Sequence, residues 1–330
     1  MKIMKILVTG GLGFIGSNFI LRLLERDDIE ITNIDAELYG SNHKNISKAK
    51  NSDKYNFVKG NISNKKLMEE EIGKCDAVVN FAAESHVDRS INDANPFLVS
   101  NIRGAFTILD IITKQKKRMI QISTDEVFGS LETGTADEQS KMNPSSPYAA
   151  TKAAAELLIN SYSNTFDSDV IITRCTNNFG PRQFVEKLIP KTIILANKEL
   201  QIPIYGEGKN IRDWIFVSDH CNAIMKVLLK GKKGKSYNIS AHNEVDNLTI
   251  IKEILEIMNK PSDQIEFIED RPGHDFRYSL DSSKIRNETN WSPKTEFHKG
   301  LKKTVEWYLQ NKEWWLKINE SEYRNPSWKN

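Results

Sequence analysis

Apolar residues fall in short unbroken runs through the first half of the chain, and a stretch with helical spacing follows most of them. The runs are at residues 6–8, 29–34, 55–59, 77–81, 119–123 and 170–172. Helical spacing follows at 14–26, where Phe14, Ile15, Phe19, Leu21, Leu23 and Leu24 give a broad apolar surface, and again at 96–113 and 148–165. Pro96 opens the second of these, at a first-turn position where its missing N–H costs nothing. The runs lack the apolar–polar alternation of a strand with one wet face. They therefore predict a parallel sheet buried on both sides, an α/β doubly wound fold of the Rossmann type.

After about Asn177 the rhythm loosens. Gly180-Pro181 and Gly206-Glu207-Gly208 mark loops. Residues 212–217 predict a strand, and 220–229 and 247–258 predict helices. The expected division is a dinucleotide-binding domain over 1–176 and a smaller C-terminal substrate-binding lobe over 177–330, with some segments returning to the main sheet. The tail from Glu313 is polar and carries tryptophans, and its last residues are expected to be disordered.

Composition narrows the classes of function. The 330 residues carry a formal charge of +2, which gives no electrostatic case for nucleic acid or an anionic membrane surface. The basic stretches at 114–118 and 230–235 are short and predict solvated faces. No apolar stretch nears the ~20 residues of a membrane span. The N-terminus runs straight into a strand, with no secretory-leader pattern. The three cysteines, Cys75, Cys175 and Cys221, are far apart and match neither a disulfide framework nor a zinc pattern. Together these predict reduced thiols, a cytoplasmic protein and no metal site.

Three motifs carry chemistry. Gly10, Gly13 and Gly16 lie between the first strand and the first helix. Glycines at that spacing allow a tight turn, close approach of backbone to a pyrophosphate, and close helix–strand packing. The helix N-terminus then offers unpaired N–H groups to an anion. Asp35 ends the second run, where a carboxylate accepts ribose hydroxyls and repels a 2′-phosphate, so NAD is expected over NADP. Tyr148 and Lys152 share one helical face. A nearby ammonium and a cationic nicotinamide favour phenolate, so the Tyr148 pKa is expected to fall. Phenolate could then take a hydroxyl proton as hydride leaves the same carbon. Thr124 could orient that hydroxyl. Beside it stand two carboxyl groups, Asp125 and Glu126, an acid and a base for a second reaction.

The glycine turn, Thr124, Tyr148 and Lys152 together resemble the extended short-chain dehydrogenase/reductase superfamily. Within it, the segments at 123–129, 82–90, 144–148, 177–181, 186–190, 211–214 and 270–275 resemble the signature of the dTDP-glucose 4,6-dehydratase family, in order along nearly the whole chain. The resemblance implies oxidation at C4 of the hexose, which acidifies the C5 proton. Glu126 would remove that proton as base, and Asp125 would protonate the departing C6 hydroxyl. Hydride would then return to C6.

The resemblance also places further residues. Phe14, Ile15, Asn61, Ile62, Ala82, Ala83, Ser100 and Asn178 would contact NAD. Arg212 and Arg271 would hold a diphosphate, with Lys187 nearby. Ser85, Asn177, Leu188, Pro203, Tyr205, Asn247 and His274 would meet the nucleotide sugar. His86 and Arg89 would support the site. One departure stands out: the family carries Asp-Ile after the third strand, and this chain has Asn61-Ile62. Asn61 is expected to meet the adenine amino group through its carbonyl oxygen.

Alternatives remain at this stage. The same chemistry could act on a UDP-, GDP- or CDP-hexose. A sugar-nucleotide 4-epimerase or decarboxylase would use Tyr148 and Lys152 but has no need of the Asp-Glu pair. A non-catalytic NAD sensor would need only the glycine turn. By analogy with the superfamily, a homodimer is expected, formed by the helices at 96–113 and 148–165.

Overall fold

The computed structural model describes residues 3–324 and 328. Seven parallel strands form the main sheet. Six come from the first 175 residues: β1 (Met4–Thr9), β2 (Ile29–Asp35), β3 (Tyr55–Lys59), β4 (Ala77–Asn80), β5 (Arg118–Thr124) and β6 (Val170–Cys175). The seventh, β10 (Ser236–Ile239), comes from far downstream and pairs with β6. The order is β10-β6-β5-β4-β1-β2-β3. Every residue of β4 and of β6 is buried, which is why these strands read as continuous apolar runs. The sixth strand is longer than its apolar run predicts. It extends through Thr173, Arg174 and Cys175, and the polar members are buried by pairing with β5 and β10.

Helices cover both faces. On one lie α1 (Phe14–Leu23), α8 (Val217–Lys230) and α10 (Ser283–Thr289); on the other lie α2 (Lys65–Gly73), α5 (Ala105–Gln115) and α6 (Pro147–Phe166). The predicted helix over 96–113 is a composite. It runs through α4 (Asn95–Phe97), a π-helical stretch Leu98–Gly104, and then α5. The wider π turn admits one extra residue per turn, a feature associated with functional sites. Helix α6 begins as its sequence dictates: the Ser146 hydroxyl accepts from Ala149 N at 3.2 Å, and Pro147 occupies the first turn.

The remaining strands make a lobe over the C-terminal edge of the sheet. Strand β9 (Ile211–Phe216) is flanked by β11 (Glu244–Asp246) and β7 (Asn177–Phe179), while β8 (Ile202–Tyr205) pairs with β12 (Ile265–Ile268). Helices α7 (Leu188–Asn197), α9 (Asn247–Ile257) and α11 (Phe297–Gln310) pack around them. The chain leaves this lobe for α8, β10 and α10 before returning. In the tail, α12 (Lys312–Trp315) and α13 (Ser321–Arg324) bury Trp314, Trp315 and Tyr323 in the lobe's core. The expectation of disorder at the last residues falls mostly on positions outside the described ones. A short helix, α3 (Val87–Asn92), follows β4 and faces the lobe. No helix among the described residues is long and apolar enough to cross a membrane.

Candidate active site

Strand order reverses between β1 and β4, and connections on either side diverge there, opening a crevice at the C-terminal ends of the strands. A cavity of about 320 Å³ fills it, roofed by the lobe. All the residues expected to touch the cofactor line this cavity, as do Thr124, Asp125, Glu126, Tyr148 and Lys152. Ser85, Asn177 and Lys187 line it too. Leu188, Pro203, Tyr205, Arg212, Asn247, Arg271 and His274 do not; they belong to the lobe beyond its wall.

The glycine turn forms one end. Gly10 has φ +70°, and a Cβ there would stand 2.6 Å from Ala82 N, so β1 and the β4 end touch through bare backbone. A Cβ on Gly16 would stand 2.5 Å from Gly10 O. Gly13 differs: a Cβ there would meet protein only at Gly10 O, 3.3 Å away, and Gly13 borders the cavity. It also caps α1 with no side-chain partner, so the helix's first N–H groups are left for a ligand. Asp35 is held rigidly beside this turn. Its carboxylate accepts from Leu12 N at 2.9 Å, Glu37 N at 2.9 Å and Ser41 Oγ at 2.8 Å. A bare cradle, an anion-accepting helix end and a fixed carboxylate fit a dinucleotide with a free ribose 2′-hydroxyl.

Asn61 departs from its expected use. Its carbonyl oxygen accepts from Ser63 N at 2.9 Å and Ser63 Oγ at 2.8 Å, closing the turn before α2. Both lone pairs are thereby taken. What Asn61 offers the cavity is its amide N–H.

At the other end, β5 stops at Thr124. Its hydroxyl caps a single 3₁₀ turn, Asp125–Phe128, by accepting from Glu126 N at 3.3 Å, and it donates to Asp125 Oδ1 at 3.0 Å. Asp125 is buried, and its Oδ2 has no hydrogen-bond partner. Burial, reinforced by the Glu126 charge, raises the Asp125 pKa well above the usual carboxylate range. Glu126 is partly exposed to the cavity yet deep in the molecule. Burial raises its pKa as well, but Arg271, Lys187 and Arg212 pull it down. Both carboxyls are raised by burial, and Arg212 opposes the rise at both; Arg271 and Lys187 oppose it further at Glu126, whereas the Glu126 charge adds to it at Asp125, so their proton affinities separate.

The fall expected for the Tyr148 pKa depends on a cationic nicotinamide as well as on Lys152, and the protein's own groups act in the opposite direction. Burial lifts the phenol pKa well above its ordinary value, and Glu126 adds to the rise. Lys152 Nζ donates to Ile122 O at 2.6 Å, which fixes the ammonium at the end of β5. Burial lowers the Lys152 pKa to about 8.

The lobe's cations are tethered. Arg212 is buried and donates to the carbonyls of Ile211, Asp275 and Phe276, with its guanidinium 4.4 Å from the Tyr278 ring centroid. Arg271 Nη1 bonds Asp88 Oδ1 at 2.7 Å, while its buried Nε has no partner. Tyr205 OH donates to Asp88 Oδ2 at 2.6 Å, and His274 Nδ1 meets Asp270 Oδ1 at 2.6 Å. Asp88 thus organises both Arg271 and Tyr205, a role its sequence position did not reveal. Tyr39 was also missed. It lines the cavity, donates to Glu186 Oε2 at 2.6 Å, and lies under the Arg89 guanidinium at 3.6 Å, linking the first domain to the lobe. Nothing in the spacing of the loop after Asp35 signals this link.

The family model for GDP-mannose 4,6 dehydratase matches residues 7–304. The chain belongs to this 4,6-dehydratase family. Within the family it is similar to dTDP-glucose 4,6-dehydratases. That of Actinoplanes sp. is 43% identical over 319 residues, covering 94% of this chain and 100% of the relative. The low-salt glycan biosynthesis protein Agl12 of Haloferax volcanii is 45% identical over 311 residues, with 94% and 100% covered. The crystal structure of the dTDP-glucose 4,6-dehydratase DesIV from Streptomyces venezuelae, with NAD bound, superposes with a TM-score of 0.94 at 40% identity, covering 96% of this chain and 100% of that one. The doubly wound fold and the membership read from the motifs are both shown by these matches.

Proposed function

We propose that this 4,6-dehydratase converts dTDP-glucose to dTDP-4-keto-6-deoxyglucose with NAD. The observation that carries the reading is the adjacent pair at the end of β5. Asp125 is buried, one oxygen unpartnered and its proton affinity strongly raised, whereas Glu126 faces Arg271, Lys187 and Arg212. Water elimination needs a neutral acid and an ionised base side by side, and the stronger rise at Asp125, with more cations opposing the rise at Glu126, supports that division of roles.

Tyr148 takes the proton of the C4 hydroxyl, and Thr124 orients that hydroxyl. NAD supplies the hydride acceptor for C4 oxidation and the hydride donor for C6. Glu126 removes the C5 proton, and Asp125 protonates the C6 hydroxyl as it leaves. Lys152, fixed by the Ile122 carbonyl, contributes a buried positive charge beside the phenol. The glycine turn and the end of α1 hold the pyrophosphate, and Asp35 accepts the ribose hydroxyls. Arg271 and Arg212, aided by Lys187, provide the positive field for the substrate diphosphate.

Leu98, Val99 and Phe106 on the composite helix, and Leu157 and Phe166 on α6, are large exposed apolar side chains on neighbouring elements. They support a homodimer through these helices; a monomeric mass at micromolar concentration would exclude it. The free, buried Cys75, Cys175 and Cys221 support a reducing, cytoplasmic setting. Oxidised forms dominating in protein freshly taken from cells would count against that.

The reading is tested by incubating the protein and NAD with dTDP-, UDP-, GDP- and CDP-hexoses and reading loss of one water by mass spectrometry. Loss from dTDP-glucose is expected. Loss from another nucleotide alone would keep the mechanism and replace the substrate.

A further inference from the structure

Behind the catalytic residues lies an ion pair that no step of the reaction uses. Glu156 and Arg174 are buried at 0% and 2% exposure. Arg174 grips the carboxylate through two nitrogens, with Nη2 at 2.7 Å and Nε at 2.9 Å from Oε2. The other oxygen accepts the Ser123 hydroxyl at 2.5 Å. Arg174 Nη1 reaches Glu138 O at 3.3 Å, and the guanidinium lies 4.9 Å from the Phe128 ring centroid.

We infer that the Glu156–Arg174 pair is the positioning element that holds the catalytic groups in register. This rests on the proposed dehydratase reading. Glu156 is on α6, one turn beyond Lys152 and two beyond Tyr148, and thus on the same side of the helix. Ser123 directly precedes Thr124 on β5. Phe128 closes the turn that carries Asp125 and Glu126. Arg174 is on β6. A single pair therefore ties together the helix of Tyr148 and Lys152, the strand end of Thr124, and the turn of Asp125 and Glu126.

Stability alone is a weak reason for such a pair. Burying two charges is costly, and well-packed apolar residues of similar volume often serve as well or better. Directionality is what an apolar contact lacks: the bonds from Ser123 on β5 and Arg174 on β6 to one carboxylate fix the rotation of α6 against both strands. Glu156 also faces Lys152, together with the Cys175 thiol at the end of β6 and the Ile122 carbonyl on β5, and its charge supports the ammonium.

The experiment compares wild type, Glu156→Gln and the double variant Glu156→Gln/Arg174→Gln. The readings are thermal midpoint, NAD affinity, kcat and KM for dTDP-glucose, and the Lys152 titration followed by NMR of ¹³C-labelled lysine. Misplacement of catalytic groups by about 1 Å costs on the order of 10²-fold in rate. For Glu156→Gln, kcat is expected to fall by about that factor with KM and NAD affinity changed little, and Lys152 to titrate at lower pH. In the double variant the thermal midpoint recovers towards wild type but kcat does not. A folded double variant with wild-type kcat would overturn the inference. If Glu156→Gln does not fold, Ser123→Ala removes one hydrogen bond and no charge; it should lower kcat without moving the Lys152 titration, and an unchanged kcat would overturn the inference. The lysine titration needs no substrate, so it still decides whether Glu156 supports Lys152 if wild type proves inert towards dTDP-glucose.

Discussion

Replacing Asp125 by Asn should make the protein more stable and far less active. Asn is isosteric, so Oδ1 keeps its bond from Thr124 Oγ1, which is 3.0 Å in the wild type. The change falls on Oδ2, the buried oxygen without a partner, which becomes an amide that cannot deliver a proton. A positioned general acid contributes roughly 10²–10⁴-fold. At about 1.4 kcal/mol per tenfold, that is ~3–5 kcal/mol of barrier. Loss of water from dTDP-glucose should slow by that factor, while C4 oxidation continues and reduced nicotinamide accumulates. Stability moves the other way, and its sign follows from linkage. The folded-state pKa of Asp125 is raised above the unfolded value near 3.9, so folding takes up a proton. The wild type therefore has this contribution in full below that value and loses it as pH rises through the folded pKa. Asn cannot ionise and loses nothing. The difference in thermal midpoint, variant above wild type, should widen as pH rises above about 4. Water loss within about threefold of wild type, a modest effect against the 10²–10⁴ of a general acid, would refute the role. A midpoint difference independent of pH would refute the electrostatic argument.

Other expectations are as direct. Tyr148→Phe removes the phenol that lines the cavity with Thr124 and Lys152, so single-turnover reduction of NAD should fall by about 10²-fold or more; an unchanged rate would remove Tyr148 from that step. Gly16→Ala places a Cβ 2.5 Å from Gly10 O, a backbone atom that cannot swing aside, so NAD should bind at least about tenfold more weakly by titration. Equal affinity would mean that the turn relaxes freely. The Lys152 ammonium, with a pKa near about 8 against ~10.4 when exposed, is lost as pH rises, so kcat/KM should decline through that region. A profile flat to pH 10 would contradict a requirement for the charge.

What the sequence disclosed and what it hid divide along contact range. The glycine turn, the buried strands and the Tyr148–Lys152 spacing are local patterns, and periodicity exposes them. The Asp125–Glu126 pair was visible for the same reason, although its unequal environments were not: they arise from Arg212, Lys187 and Arg271, well apart along the chain. The Tyr148–Lys152 spacing did not show what holds the ammonium: the Ile122 carbonyl is 30 residues away. Arg174–Glu156, Asp88–Arg271 and Tyr39–Glu186 are invisible to spacing, because each joins separate elements. The docking of the tail was not legible in its composition. Trp314 and Trp315 lie among charged residues, yet both are buried: Trp314 Nε1 donates to Asn45 Oδ1 at 2.7 Å and Trp315 Nε1 to Tyr308 O at 3.0 Å, and Tyr323 closes the same core. A polar stretch with a few large anchors docks through those anchors.

The central claim, that one hydride leaves C4 and returns to C6 while water is lost between C5 and C6, is tested most directly with dTDP-glucose carrying deuterium at C4. The account predicts a product lighter by one water with the label at C6. Label returned to C4, with inverted configuration and no loss of water, would contradict it and leave Asp125 and Glu126 without a function.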